Sequence, residues 1–176
     1  VDTSAQFVSA VARIDGEPER VVWLSALEPA QYRLMQAGRQ LTWPLGRDQD
    51  LFGKPLFLAD DPIAHALVVH APAQVAYRWD GRKGRFLSEI SLLGWANDLT
   101  TNVGSVECKV LLAREGKLIE VFRSATLRPG SQSVPVDVDI SDAQLIALLV
   151  EEADQGPIGD HALWRDARLV PARAVP

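Results

Sequence analysis

The sequence lacks most of the residue patterns that mark a known class of enzyme. Its 176 residues include one cysteine, Cys108, so an internal disulfide is excluded. There are three histidines, and the chain has no glycine-rich phosphate loop, no histidine pair four apart on a helix and no Gly-x-Ser-x-Gly turn. Acidic residues number 23, yet no pattern singles out the opposed carboxylate pair that glycoside hydrolysis needs. We therefore expect a protein that is not an enzyme.

An excess of positive charge and long apolar runs are also missing. Lys and Arg total 18 against 23 acidic residues, which gives a net charge of −5 and a pI near 5.2. The one compact basic cluster, residues 78–85, flanks a turn at Asp80 and Gly81, where charges are normally solvated. No apolar run approaches the roughly 20 residues that a membrane span requires. We expect neither a nucleic-acid partner nor membrane insertion.

Size and composition fit one globular domain. The mass is 19.3 kDa and 47% of the residues are hydrophobic, both ordinary values for such a domain. We place the domain at residues 8–170, with linker-like ends at 1–7 and 171–176. The chain begins at Val1 without an initiator Met or a basic-then-apolar leader, so we expect a processed or excised piece of a longer protein.

Short runs of branched and aromatic residues recur along the chain and predict β-strands. Several of them alternate apolar and polar residues, and turn signals such as Pro129 with Gly130 separate them. Because little amphipathic helix lies between the runs, the pattern favours an all-β sandwich or barrel over a parallel sheet flanked by helices. The predicted strands cover residues 21–24, 66–70, 75–79, 86–92, 106–112, 118–122, 134–140 and 145–150.

For two segments, a helix is weighed against a strand. Residues 29–38 are predicted to form a short helix near the N-terminal third, because Pro29 suits a first helical turn and Gly38 a C-cap. Ser141 could cap a helix over the apolar residues 145–150, but a run of six apolar residues matches the length of a central strand, which we prefer. A long connection, with a strand-like insert, spans much of the region between the predicted helix and residue 62.

The loop between the strands predicted at 86–92 and 106–112 is the first candidate binding site. It offers the indole of Trp95 for the apolar face of a sugar ring, and Asn97, Asp98 and Asn102 for its hydroxyls. Asn and Asp are also common turn residues, so a polar hairpin loop is an equal alternative. Trp43 is the second aromatic candidate.

The closing segment of the chain brings an acid, an imidazole and an indole together. We predict that Trp164 fills the core, and that Asp160 and His161 fix the last strand through hydrogen bonds, with ligand contact as the alternative. His70 is expected to be a core histidine whose ring nitrogens have hydrogen-bond partners. For His65, a core role and ligand contact are equally expected. The odd spacing of His65 and His70 puts them on opposite faces of a strand, so they should not share one site.

Five stretches occur in an order that resembles one known family. They are Val22-Trp23-Leu24-Ser25 with Leu27-Glu28-Pro29, Gly46-Arg47-Asp48 with Gly53-Lys54-Pro55-Leu56, His65-Ala66-Leu67-Val68-Val69-His70-Ala71-Pro72-Ala73, Gly104-Ser105-Val106-Glu107-Cys108-Lys109-Val110 with Gly116-Lys117, and Asp160-His161-Ala162-Leu163-Trp164. Each stretch is weak alone, but their order is specific. The chain resembles the NPCBM family, the novel putative carbohydrate-binding modules related to carbohydrate-binding module family 51, over roughly residues 20–169.

The resemblance implies both a fold and a function. The fold is a galactose-binding-like antiparallel β-sandwich of the jelly-roll type. The function is that of a non-catalytic carbohydrate-binding module, often attached to an exported glycoside hydrolase, for galactose-type glycans. The partners it implies are a glycan or a neighbouring domain in a longer chain, and the location extracellular or periplasmic. No cofactor is expected beyond a structural calcium ion, which some sandwiches of this shape carry.

At five positions the chain has an apolar residue where the family has glycine or a polar residue. They are Ala66, Val68, Ala73, Leu93 and Leu163. A site that loses hydrogen-bond partners for sugar hydroxyls loses affinity, so the alternative is a structural or protein-interaction sandwich that has lost its sugar site. Under the first hypothesis the candidate contacts are Trp95, Asn97, Asp98, Asn102, His65, Asp160 and His161, with metal ligands left unassigned.

Overall fold

Two antiparallel β-sheets packed face to face build the domain. The structure is a computed structural model, and it describes residues 11–14, 17–35, 42–58, 61–93, 104–154, 156 and 158–172. The strands are β1 (Val11–Ile14), β2 (Glu17–Arg20), β3 (Val22–Trp23), β4 (Gln31–Leu34), β5 (Gly46–Arg47), β6 (Phe57–Leu58), β7 (Asp61–Pro62), β8 (Ala66–His70), β9 (Ala73–Arg78), β10 (Gly84–Leu92), β11 (Val106–Arg114), β12 (Lys117–Arg123), β13 (Val134–Asp139), β14 (Leu145–Glu152) and β15 (His161–Pro171).

The strand order within the described residues defines the two layers. The six-stranded sheet runs β13-β10-β15-β8-β5, with β3 also paired to β15, and the five-stranded sheet runs β12-β11-β14-β9-β4. The pairs β1-β2 and β6-β7 form two small separate sheets. Every pairing within the two large sheets is antiparallel. This arrangement confirms the predicted antiparallel sandwich.

The core lies between the two sheets and follows the two-residue period of the strands. Alternate residues of β11 and of β14 face inward, and so do Leu67 and Val69 of β8. Trp164 is fully buried among them and lies 6.3 Å from Phe86, measured between ring centroids. The indole therefore occupies the core position that the sequence predicts for it. Cys108 is fully buried as well, and burial raises the pKa of its thiol.

The helix predicted over residues 29–38 is wrong. Gln31–Leu34 forms strand β4, which pairs with β9 at the edge of the five-stranded sheet. Tyr32 and Leu34 pack against the core while their neighbours point outward, so the two-residue period outweighs the helix-capping signals. Among the described residues, the helical structure is a single 3-10 turn at Leu24–Ala26. The strand preferred over a helix at 145–150 is confirmed as β14.

The long connection before β8 packs over the outer face of the six-stranded sheet. Asp50 fixes one of its turns, because its Oδ1 accepts hydrogen bonds from the backbone N–H groups of Phe52 and Lys54, each 2.8 Å long. Asp48 Oδ1 accepts a 2.9 Å bond from the N–H of Ala66 and so ties the connection to β8. Beneath it lies a second cluster of buried apolar residues, Leu51, Leu56, Ala66, Val68 and Leu163, against which Trp43, Ile63 and Leu93 pack.

Candidate functional site

Four ring side chains meet at one end of the six-stranded sheet. His70 of β8 and His161 of β15 are register partners with centroids 5.1 Å apart. Trp43 stacks on His70 at 4.7 Å with an interplanar angle of 7°, and lies 5.6 Å from His161. Phe52 meets Trp43 edge-on at 5.8 Å and is 51% exposed. We call these four residues the aromatic platform, since they form a largely apolar surface with polar ring atoms at its base.

The platform is held from two directions. The hydroxyl of Tyr32, on the other sheet, donates a 3.1 Å hydrogen bond to the backbone oxygen of Trp43. Burial raises the pKa of Tyr32 to about 12, so the phenol keeps the proton that it donates. From below, the second cluster packs against the indole of Trp43. The position of this side chain is therefore fixed by contacts from both sheets.

The apolar departures from the family pattern have a structural reason. Ala66, Val68 and Leu163 belong to the second cluster, and Leu93 packs against it. Ala73 lies in the main core. Four of the five departures thus build one packed layer beneath Trp43. They put apolar side chains, which support the indole of Trp43, where the family has glycine or a polar residue.

The platform histidines have defined proton positions. Burial, with a smaller contribution from the neighbouring His70, lowers the pKa of His161 to about 4, and the charge of Asp50 opposes this shift. His161 is therefore neutral at pH 7. Nδ1 of His70 lies 2.5 Å from the carbonyl oxygen of Ala71, and because a carbonyl only accepts hydrogen bonds, Nδ1 carries the proton.

Asp160 ties three segments together directly behind the platform. It is fully buried, its Oδ1 accepts a 2.8 Å bond from the N–H of Ser105, and its backbone oxygen accepts a 2.9 Å bond from Ala71. Oδ2 has no hydrogen-bond partner among the described residues. The pKa of Asp160 is raised to about 6, chiefly by burial, and the charges of Glu152 and Asp154 raise it as well. The hydrogen bond from Ser105 acts in the opposite direction and lowers the pKa. The position is that of a strand anchor.

The buried carboxyl of Asp160 predicts a pH-dependent stability. Its pKa is about 6 in the folded chain against 3.8 for an ordinary aspartate in the unfolded chain, so between these two pH values the folded state keeps a proton that the unfolded state has released. Its contribution is full below about pH 4 and is lost as the pH rises toward 6, a difference of about 3 kcal/mol at 1.36 kcal/mol per pKa unit. Relative to wild type, Asp160→Asn should therefore be more stable at pH 7 than at pH 4.

Urea denaturation of both proteins at pH 4, 5, 6 and 7 measures this difference, and the other titrating groups cancel between them. Asn keeps an oxygen that can accept the bond from Ser105, so the comparison isolates the charge. A difference between the two proteins that stays constant over this pH range would contradict the assignment.

His65 lies apart from the platform. Its ring stacks on Trp23 at 4.1 Å and 11°, and the guanidinium of Arg168 lies 5.6 Å from the Trp23 ring centroid. Nδ1 of His65 is buried and has no hydrogen-bond partner among the described residues. The structure thus brings His161 and Asp160 together and leaves His65 in a separate cluster, as its spacing from His70 predicts.

The four predicted loop contacts, Trp95, Asn97, Asp98 and Asn102, lie outside the described residues. The residues that flank this part of the chain both lie beside the start of β15. The N–H of Leu93 donates a 2.8 Å bond to the backbone oxygen of His161. Gly104 packs so closely on Gly159 that an added Cβ would lie 2.5 Å from the Gly159 oxygen. The contribution of the four contacts to the site stays a prediction.

Two platform residues, Trp43 and Phe52, are not among the seven candidate contacts of the sequence analysis, which expects His70 in the core. Trp43 is the second aromatic candidate of the sequence, whereas no pattern singles out Phe52.

In the part of the chain that the structure describes, no group of three His, Cys, Asp or Glu side chains could hold a metal ion. Within the same residues, no helix is long and apolar enough to cross a membrane.

Comparison with known proteins gives a family match and a set of similar structures. The model of the NPCBM/NEW2 domain matches residues 20–170. No curated protein matches the chain. One similar structure is a chain of Clostridium perfringens ZmpB that contains the M60 catalytic domain with the CBM51-1 and CBM51-2 domains. The match has 26% identity and a TM-score of 0.71, and it covers 88% of this chain and 16% of that one.

Two further structures are similar. The CBM51-2 and INT domains of Clostridium perfringens ZmpB give 22% identity and a TM-score of 0.70, covering 86% of this chain and 32% of that one. CBM51 from Clostridium perfringens GH95, solved in complex with methyl-galactose, gives 19% identity and a TM-score of 0.67. The match covers 85% of this chain and 99% of that one. The chain thus spans a third or less of the two ZmpB chains but nearly all of the GH95 module.

Proposed function

Because the chain belongs to the NPCBM/NEW2 domain family, we propose that it is a non-catalytic carbohydrate-binding module for neutral, galactose-type glycans. The aromatic platform is the observation that carries the proposal. Trp43 and Phe52 offer apolar ring surface at the end of a sheet, and Phe52 is half exposed. A few polar groups beside apolar surface are what a small-ligand site requires. The neutral His161 at the base favours hydroxyl contacts over ionic ones.

The comparisons support the same proposal. A similar module from GH95 was solved with methyl-galactose, and a similar CBM51-2 domain of ZmpB was solved with GlcNAc. The match to the M60 structure places a similar module in one chain with a catalytic domain. By analogy, we propose that this module works within a longer, exported protein, in an extracellular or periplasmic setting. A structural calcium ion stays a prediction of the family resemblance.

Titration with simple sugars tests the proposal. We expect methyl galactoside to bind the wild-type chain weakly but saturably, and to change its tryptophan fluorescence because Trp43 lies in the site. Isothermal calorimetry with methyl galactoside and with GlcNAc gives the affinities, and a charged sugar such as a uronate serves as the comparison ligand. No binding of any sugar at millimolar concentration would reject the proposal and favour the alternative, a structural or protein-interaction domain.

A further inference from the structure

Asp50 lies in the turn that brings Phe52 to the aromatic platform. Besides the two bonds that its Oδ1 accepts from Phe52 and Lys54, its own N–H donates a 2.8 Å bond to the backbone oxygen of Lys54. Its backbone oxygen accepts a 3.2 Å bond from the N–H of Gly53. Because these bonds hold both the backbone and the side chain of Asp50, the position of the carboxylate is fixed without a ligand.

The second carboxylate oxygen of Asp50 can accept hydrogen bonds from a ligand. Among the described residues, Oδ2 has no hydrogen-bond partner and the carboxylate forms no ion pair. The residue is half-buried and Oδ2 is not one of the buried unpartnered atoms, so solvent reaches this oxygen. A carboxylate oxygen has two lone pairs, and since the group is already fixed, bonds to it cost little conformational entropy.

The charge of Asp50 acts on the platform. It raises the pKa of His161, against the larger effect of burial. Behind the platform lies a second carboxyl group, that of Asp160, whose pKa of about 6 leaves it mostly ionised at pH 7. Lys54 is exposed on the same turn and forms no ion pair with Asp50. An acidic ligand on the platform would therefore lie beside one carboxylate and in front of another.

We propose that Asp50 determines the ligand specificity of the platform. The inference rests on the proposed carbohydrate-binding function. When the sugar ring packs on Trp43 and Phe52, Oδ2 of Asp50 accepts hydrogen bonds from its hydroxyl groups, and bonds to a charged acceptor are stronger than bonds to a neutral one. A carboxylate on the sugar would be repelled, whereas an amino group would gain an ion pair. Affinity should therefore fall from amino sugar to neutral sugar to acidic sugar.

Three ligands built on the galactose ring test this order. At pH 7 and low ionic strength, we expect galactosamine to bind about threefold more tightly than methyl galactoside, and galacturonate about threefold more weakly. NMR titrations at constant ionic strength measure such weak affinities. Raising the salt concentration from about 10 mM to about 1 M should bring the three affinities together, because salt screens the charges and leaves the hydroxyl contacts in place.

Asp50→Asn separates the charge from the turn. Asparagine keeps an oxygen that can accept the bonds from Phe52 and Lys54, and thermal unfolding checks that the variant folds. The spread of affinities between galactosamine and galacturonate should shrink from about tenfold to about threefold or less, whereas a purely structural role would weaken all three sugars alike. If the asparagine variant does not fold, Asp50→Ser replaces it, because a serine hydroxyl supports the same kind of turn.

Glu115→Gln is the matched control. It removes an exposed carboxylate from the turn between β11 and β12, at the end of the sandwich opposite to the platform, and should leave the spread unchanged. Binding of methyl galactoside without any effect of ligand charge, or a spread that Asp50→Asn does not alter, would overturn this inference and leave the carbohydrate-binding proposal intact. If none of the three sugars binds, the carbohydrate-binding proposal fails and this inference fails with it.

Discussion

Replacing Trp164 by alanine is expected to lower the free energy of unfolding by about 3–5 kcal/mol. The indole is fully buried on β15, which pairs with β10 and β8 in the middle of the six-stranded sheet. Its removal leaves a cavity that strands held on both sides cannot close. Because Nε1 has no hydrogen-bond partner among the described residues, the loss should come from packing rather than from a broken hydrogen bond. Urea denaturation followed by far-UV circular dichroism measures it.

Trp164→Phe is the matched variant for this experiment. Phenylalanine keeps most of the apolar contact and removes a buried N–H group without a described partner, so it should lose less than half as much stability as alanine. Equal losses in the two variants would show that the N–H group, and not the volume of the indole, matters. A loss below about 1 kcal/mol for alanine would contradict the core position of this residue.

Replacing Trp43 by alanine is expected to weaken binding of methyl galactoside about tenfold or more, with a much smaller effect on stability. The expected loss corresponds to at least about 1.4 kcal/mol, in the range found when a central aromatic residue is removed from a binding site. Trp43 stacks on His70 and meets Phe52, so its loss dismantles the platform. It belongs to the connection over the sheet and not to the main core, so the sandwich should still fold. Isothermal calorimetry and thermal unfolding, run on the same preparation, separate the two effects.

Phe57→Ala is the control for Trp43→Ala. Phe57 is another exposed aromatic residue, 54% accessible, and it lies on β6, which pairs with β7 in a small separate sheet. Its replacement should leave sugar affinity unchanged. If Trp43→Ala also binds like wild type while the wild-type chain does bind the sugar, the platform is not the site. Trp95→Ala then tests the loop that the sequence analysis placed first.

The strands were predictable because they depend on a local signal, whereas the site depends on distant contacts. Short runs of branched and aromatic residues, several of them alternating, predict the strands β8 to β14. The same signal is present at Gln31–Leu34, but it lasts only four residues, and the capping signals of Pro29 and Gly38 pointed to a helix instead. Phe52 has no local signal at all. It joins the platform because Asp50 fixes the turn beside it and the connection folds back over β8.

His70 shows how a correct local interpretation can still miss a role. The residue is buried, as expected of a core histidine, but it is buried on the outer face of its sheet beneath Trp43. Periodicity assigns a side chain to one face of a strand, and it does not show which outer faces another segment will cover. The apolar departures at Val68 and Leu163 carried that information, because their shared face needs a cover.

The buried thiol of Cys108 gives the chain a practical property. Thiol reagents attack the thiolate, and burial both shields this sulfur and raises its pKa. Because the sequence contains no second cysteine, one introduced at a surface position would be the sole group to react with a maleimide probe or a nitroxide. Labels could then be attached one site at a time, without first removing a native residue from the interior.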